Sequence, residues 1–386
     1  MNYYSMPADF RKETIDAYDR LNSSYKDSRI IETYGQVTLE ANFESGRNSR
    51  VIPQIDLIGL REYIDYAKAR NIEFNYTFNA PYMHNIEFTS DGVARIKSYL
   101  YDLHWAGVRT LTIAMPSLME LVQSSGLDFT IKASTICQIT NANKAIFFKN
   151  RGIDRIVLDE SVNRDFQTLK RVRDAFGEKV EIIVNSLCHK ECTYRMFHYL
   201  QTCGTYRQEL EKSACNYFGH RCSLKVLEDL ALLAKLCWVR PEDVKYYNQI
   251  GIQYFKLQGR EYILTGDPVK AVEYYFKGDY DGNLMALLDL FTTRLAFKFY
   301  LDNKKLEGFI KPFVENDNFC KRDCPSCRYC DSFVAKAIDL EKAREMTKLA
   351  EKFYEEIDEY GRFVKNTDSL KKEPQECNTD FDFNAG

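Results

Sequence analysis

The chain has 386 residues, 45% of them hydrophobic, with 26 Tyr and 25 Phe, and a formal net charge of −3 at pH 7. This is enough apolar material for one large core with an appendage, or for two domains. The near-balanced charge excludes a global nucleic-acid footprint and leaves only local basic patches open.

Short β-rich runs alternate with amphipathic helical stretches through most of the chain, a pattern that predicts a parallel sheet with helices packed on it. The first 30 residues read as an N-terminal helical segment. Strands are expected at Val37–Asn42, Ile72–Phe78, Arg109–Ala114, Phe129–Ala133, Arg155–Leu158, Val180–Val184 and Gln253–Leu257, with helices at Asp56–Arg70, Ser90–Ala106, Thr140–Asn150 and Val162–Phe176 between them. Gly107, Gly152 and Gly251 stand at three of the helix-to-strand junctions, where a residue tolerant of positive φ reverses the chain cheaply. The expected architecture is therefore a TIM-like (β/α) barrel over residues 31–265, complete or modified. Between the sixth and seventh expected strands lie roughly 70 residues, far more than a βα loop, so a cysteine-rich insertion is placed at 186–240. A helical extension follows over 266–365, and 366–386 reads as a disordered tail because it is polar and poor in apolar residues.

In a barrel, functional residues gather at the carboxyl ends of strands. The residues expected there are Gly46, Arg47, Asn79, Lys256 and Arg260, the last two bracketing a strand end where an anionic group would sit. An arginine so placed can grip a carboxylate or phosphate with two parallel hydrogen bonds. A surface turn is the competing reading of Gly46-Arg47. Arg195 and His198 lie one turn apart and can share a helix face aimed at the site, although a structural role for His198 explains it equally well. Arg240-Pro-Glu-Asp243 is sufficiently explained as a helix opening, with proline in the first turn and acids favoured by the dipole.

Ten of the twelve cysteines fall into two groups. Cys188, Cys192, Cys203, Cys215, Cys222 and Cys237 belong to the insertion; Cys188 and Cys192 can supply two metal ligands while Cys215, Cys222 and Cys237 compete for the rest. The second group, Cys320-x3-Cys324-x2-Cys327-x2-Cys330, is spaced to wrap one centre. Four sulfurs suit either a 4Fe-4S cluster or zinc, and a continuous run of four favours iron–sulfur over the paired spacing of zinc sites. The N-terminus lacks the apolar core of a secretory signal, and no uncharged apolar run reaches the roughly 18 residues of a membrane span. A cytoplasmic location without membrane insertion is thus expected, where thiols stay reduced and clustered cysteines argue for metal rather than disulfides. Cys137 reads as a small buried hydrophobe and Cys377 as a free thiol.

Several of these segments together resemble the peptidase U32 family, also called collagenase-like proteases. They are Gly46-Arg47, Phe74-Asn-Tyr-Thr-Phe-Asn79, Asn185-x2-Cys188-x3-Cys192-x2-Arg195-x2-His198, Arg240-Pro-Glu-Asp243 and Phe255-Lys256-x2-Gly259-Arg260. The resemblance spans roughly Gln36 to Asn303, and the C-terminal cysteine run resembles an extension found in a subset of the family. It implies a four-cysteine 4Fe-4S cluster and oxygen-independent hydroxylation of RNA bases or of small aromatic precursors, with prephenate as oxygen donor. Carried over by position, Cys188 and Cys192 would be ligands, completed by Cys222 and by Cys215 or Cys237. The first two ligands stand closer together here than in the better-known members.

The leading expectation is an iron–sulfur barrel enzyme that modifies RNA, a peptide or a small aromatic acid without oxygen, with an electron donor as partner. Arg195, Lys256 and Arg260 would hold the carboxylates of the oxygen donor. The rival enzyme is a peptidase, although neither a His-Glu-x-x-His pair nor a Gly-x-Ser-x-Gly elbow is present. The third reading is a zinc- or cluster-stabilised binding protein without catalysis.

Overall fold

The computed structural model describes residues 1–358 apart from 40, 44, 48, 205–216, 293–298, 322 and 343–349. The expected tail at 366–386, with Cys377, and the candidate ligand Cys215 lie outside the described residues. Eight strands close into one parallel barrel: β1 (Asn2–Pro7), β2 (Ser28–Gly35), β3 (Glu73–Phe78), β4 (Thr110–Ile113), β5 (Thr130–Ala133), β6 (Arg155–Val157), β7 (Val180–Ile183) and β8 (Tyr254–Lys256). Each strand pairs with the next, and β8 returns to β1 with Ser5 opposite Lys256. No helix among the described residues is long and apolar enough to cross a membrane.

Helices α1 (Lys12–Ser24), α2 (Leu57–Lys68), α3 (Ser90–Trp105), α4 (Pro116–Ser124), α5 (Ala142–Lys149) and α6 (Phe166–Phe176) alternate with the first seven strands. Their starts are chemically marked. Asp56, Thr89, Asn141 and Asp165 each accept a hydrogen bond from the backbone N–H three residues on, satisfying an end donor that no helical carbonyl can reach. α6 buries Phe166, Leu169, Val172 and Phe176, one stripe at helical spacing. Its last turn meets Gly177, and Gly107, Gly152 and Gly251 take positive φ at the junctions expected for them. The helix Pro268–Lys277 packs on α1 and completes the ring.

The N-terminal quarter differs from expectation. Residues 1–30 are β1, α1 and the start of β2, hence part of the barrel, and the described residues of the expected strand Val37–Asn42 lie beyond the end of β2 and form no strand. The strand counted sixth is therefore β7. β2 escaped the reading because Glu32 points into the barrel and Pro7 ends β1, which breaks the apolar pattern expected of a buried strand.

Between β7 and β8 the chain leaves the barrel to form α7 (Arg195–Gly204), α8 (Tyr217–Glu228) and the short turn Leu232–Lys235. It returns beside its own departure: Cys237 N–H donates to the Cys188 carbonyl (2.9 Å) and Val239 N–H to the Val184 carbonyl (2.7 Å). The described residues of the extension are largely helical, though the chain is extended at Ile338, which bridges to Leu301. Beyond it, Ala350, Phe353 and Ile357 pack on Leu224 and Leu227 of α8, so the extension folds back onto the insertion.

Candidate active site

The barrel mouth is a cavity of about 110 Å³ whose lining includes Tyr34, Arg47, Asn79, Ser134, Tyr199, Lys256, Arg260 and Tyr262. Gly259, at φ +133°, turns the chain after β8; a Cβ there would come within 2.8 Å of Leu290 Cδ1. This turn brings Arg260 back over the opening, where one terminal nitrogen donates to Gln36 Oε1 (2.7 Å), Thr77 Oγ1 (2.7 Å) and Ser45 Oγ (3.2 Å). All three acceptors are uncharged, so the guanidinium is held firmly by neutral partners, and the carboxylate that acts on it, Glu261, is ion-paired with Arg47. Burial, with Arg47 nearby, pulls its pKa down to about 10.

Lys256 ends β8 with its ammonium 3.7 Å above the Tyr34 ring and no carboxylate partner among the described residues. Burial, reinforced by the charge of Lys132 below it, brings its pKa down to about 7. Two buried cations thus face one cavity, while the carboxylate in its lining, Glu261, is engaged by Arg47. Gly46 and Asn79 meet as expected, the glycine N–H donating to Asn79 Oδ1 (3.1 Å). Arg47 differs: it is ion-paired with Glu261 at the rim.

Beneath the mouth lies a buried charge network that the sequence reading missed. Lys132 of β5 bridges Glu32 of β2 and Glu181 of β7, the latter at 2.7 Å, and Arg155 of β6 reaches both carboxylates at 3.2 and 3.4 Å. Burial pushes the Glu32 carboxyl up, but Lys132 and Arg155 outweigh it and hold its pKa well below the usual range. The signal was present as single charged residues inside otherwise apolar strands, Ile131-Lys132-Ala133 and Val180-Glu181-Ile182.

Arg195 does not reach the mouth as a free cation. One terminal nitrogen pairs with Asp159 and Glu160, the loop after β6, and the other donates to the His189 carbonyl (2.7 Å). It therefore fastens the insertion to the barrel, and the expectation that it holds a substrate carboxylate gives way to this positioning role. On α7 the buried face is Arg195 and Tyr199, four residues apart, with Tyr199 lining the cavity. His198 is only partly buried; burial and the charge of Arg47 lower its pKa.

Asn185 fixes the start of the insertion, donating to the carbonyls of Gln258 (2.8 Å) and Leu288 (2.9 Å) and accepting from the Gln258 N–H (2.7 Å). Pro241 opens the short helical turn Pro241–Asp243, as expected, and Arg240 and Asp243 form a two-bond fork at 2.9 and 3.0 Å. Cys188 comes within electrostatic reach of Cys222 and Cys237, and Cys222 of Cys192. Cys188 also acts on Arg47, Tyr199 and Tyr262 at the mouth. Burial raises the thiols of Cys188, Cys222 and Cys237, the last two to about 12, so these three are neutral until a cation displaces the proton. Among the described residues no three Cys, His, Asp or Glu side chains are arranged to hold an ion. In donor chemistry the neutral, soft sulfur set nevertheless fits a thiophilic centre. Cys320, Cys324, Cys327 and Cys330 share a second pocket on the extension. Cys137 is largely buried, its thiol 3.2 Å from the Ala114 carbonyl, in keeping with a packing role.

Residues 47–191 match the family model described as peptidase family U32. A Methanocaldococcus jannaschii protein named as an uncharacterized protease is 29% identical over 279 residues, covering 72% of this chain and 81% of that protein. Among solved structures, a U32 peptidase is similar at TM-score 0.43 and 17% identity, over 54% of this chain and 82% of its own. A D-psicose 3-epimerase from Clostridium cellulolyticum H10 is similar at TM-score 0.32 and 12% identity, with the same coverages.

Proposed function

We propose that this chain, whose residues 47–191 match the model of peptidase family U32, is a barrel-mouth enzyme acting with a small carboxylate-bearing reactant beside an iron–sulfur centre. The observation that carries the reading is the pair of buried cations, Lys256 and Arg260, facing one cavity whose lining carboxylate, Glu261, is already ion-paired with Arg47. An uncompensated buried charge is costly, and an incoming carboxylate relieves it. Arg260 offers the fork, with one nitrogen already anchored by Gln36, Ser45 and Thr77. Lys256 supplies a point charge and, with a pKa near neutrality, can also take or give a proton at Nζ. A cavity of about 110 Å³ accommodates an acid group and the few atoms around it. A larger substrate, RNA or peptide, would approach from above, past Tyr199 and Tyr262.

Cys188, Cys192, Cys222 and Cys237 would hold the centre, which when bound supplies the redox or Lewis-acid chemistry for oxygen-independent hydroxylation. Tyr199 and the Arg195 anchor keep the insertion closed over the mouth and limit water. The alternative that the family and relative names favour is peptide hydrolysis, with near-neutral Lys256 as base.

Protein purified without oxygen tests the choice. Iron and acid-labile sulfide that disappear in Cys188→Ser, with carboxylate binding lost in Arg260→Ala, support the proposal. Stoichiometric zinc without iron, together with gelatin cleavage abolished by Lys256→Ala, would overturn it in favour of the peptidase.

A further inference from the structure

The C-terminal cysteines do not belong to the barrel mouth, yet the fold brings them to the insertion. Pro325 opens the single helical turn Cys324–Cys327, which sets those two sulfurs on one face, and Arg328 then takes a left-handed conformation (φ +51°) that reverses the chain into Tyr329–Ala337. Tyr329, between Cys327 and Cys330, is driven inward: its ring contacts Phe309, Phe313, Phe319 and Phe333, and its hydroxyl donates to the Phe309 carbonyl (3.0 Å). With the aromatic anchored, the four thiols line one pocket together with Tyr329 itself and Lys235.

That pocket adjoins a cavity of about 410 Å³ whose lining includes Cys320, Cys324 and Cys330 of the extension and His189 and Cys237 of the insertion. His189 is buried, and neither ring nitrogen has a hydrogen-bond partner. Two cations flank the sulfurs: Lys235, and Arg164, which is fixed by hydrogen bonds to the Ala234 and Leu236 carbonyls and lies 4.3 Å over the Trp238 ring. A centre bound by four thiolates carries net negative charge, and fixed cations beside it stabilise that charge.

We propose that Cys320, Cys324, Cys327 and Cys330 form a second, tetrathiolate metal centre that opens on this cavity, so that the extension and the insertion meet across it. Its ligand is a thiophilic metal centre, zinc or iron–sulfur, distinct from the one at the barrel mouth. Among the described residues no three of these donors are already arranged to hold an ion, so loading would draw the four sulfurs together from the pocket they share. The pairing also gives the extension its purpose: loading joins the last helical region to the face where Cys237 and His189 lie. The proposal stands whether or not the mouth centre does, because it uses none of the same ligands.

The test is alkylation mapping by mass spectrometry on protein purified without oxygen, alongside metal analysis. Cys324 and Cys327 are exposed in the fold, so as free thiols they would react at once with iodoacetamide. The expected result is protection of all four in the loaded full-length protein and rapid labelling after chelation. Metal content should fall by one centre in the Cys324→Ser, Cys327→Ser double variant, with Cys188→Ser losing a different one. Visible charge-transfer absorption with sulfide identifies iron–sulfur; its absence with zinc identifies the zinc form. Immediate labelling of Cys324 and Cys327 in the untreated full-length protein, or unchanged metal content in the double variant, overturns the proposal. A double variant that fails to fold leaves the labelling arm decisive.

Discussion

Replacing Lys256 with methionine should make the protein more stable at neutral pH while removing anion binding at the mouth. The ammonium is buried and lacks a counter-charge, and its pKa falls from 10.5 to about 7. At 1.36 kcal/mol per pH unit, that difference sets a ceiling of about 5 kcal/mol on the cost of keeping Lys256 charged in the fold. The contact with the Tyr34 ring at 3.7 Å returns about 1–2 kcal/mol of this. Packing differences take a further share, leaving a net gain of about 2 kcal/mol for Lys256→Met. The pH dependence has a definite sign. Between about pH 7 and about pH 10.5 the unfolded chain binds more protons at this position than the folded one, so wild-type stability rises with pH in that window. The advantage of Lys256→Met is therefore full below about pH 7 and shrinks above it. Urea unfolding at a series of pH values measures both quantities. Malonate, as a probe dicarboxylate, should stabilise the wild type and not the variant. A variant that is less stable than wild type at neutral pH, with a difference independent of pH, would refute the reasoning.

Arg260→Lys keeps the charge but loses the fork and its three anchors, so malonate affinity measured by calorimetry should drop roughly 10- to 100-fold, while folding is retained. Arg195→Ala leaves Asp159 and Glu160 buried without their cation and should cost about 3–5 kcal/mol in denaturant unfolding; a loss below about 1 kcal/mol would remove its anchoring role. Glu32 has its carboxyl held below the usual range, so its contribution is present above about pH 4.5 and is lost as pH falls. Lys132→Met should accordingly shift the acid-unfolding midpoint upward, as followed by circular dichroism. Gly259→Ala meets both the positive φ and Leu290, and a loss of about 1–3 kcal/mol is expected, with malonate binding weakened in parallel because Arg260 follows directly.

Much of the architecture was legible because helices carry local signals. The caps at Asp56, Thr89, Asn141 and Asp165 and the glycines at 107, 152 and 251 act within a few residues of themselves, and the strands they flank were found to within a residue or two. β1 and β2 were not legible, since Pro7 closes β1 and the inward Glu32 interrupts β2, so neither spells an apolar strand. The candidate site divided in the same way. Residue type and spacing determined that Cys188, Cys192, Cys222, Cys237 and the run from Cys320 to Cys330 are thiols suited to a soft metal, and that Lys256 and Arg260 close a strand end. Tertiary structure alone decided which cations stay free. Arg195 and Arg47, equal to Arg260 in chemistry, are neutralised by Asp159, Glu160 and Glu261, which lie far away in the chain or on another turn. Whether a charge has a partner depends on distance through space, and that distance exists only once the barrel has closed.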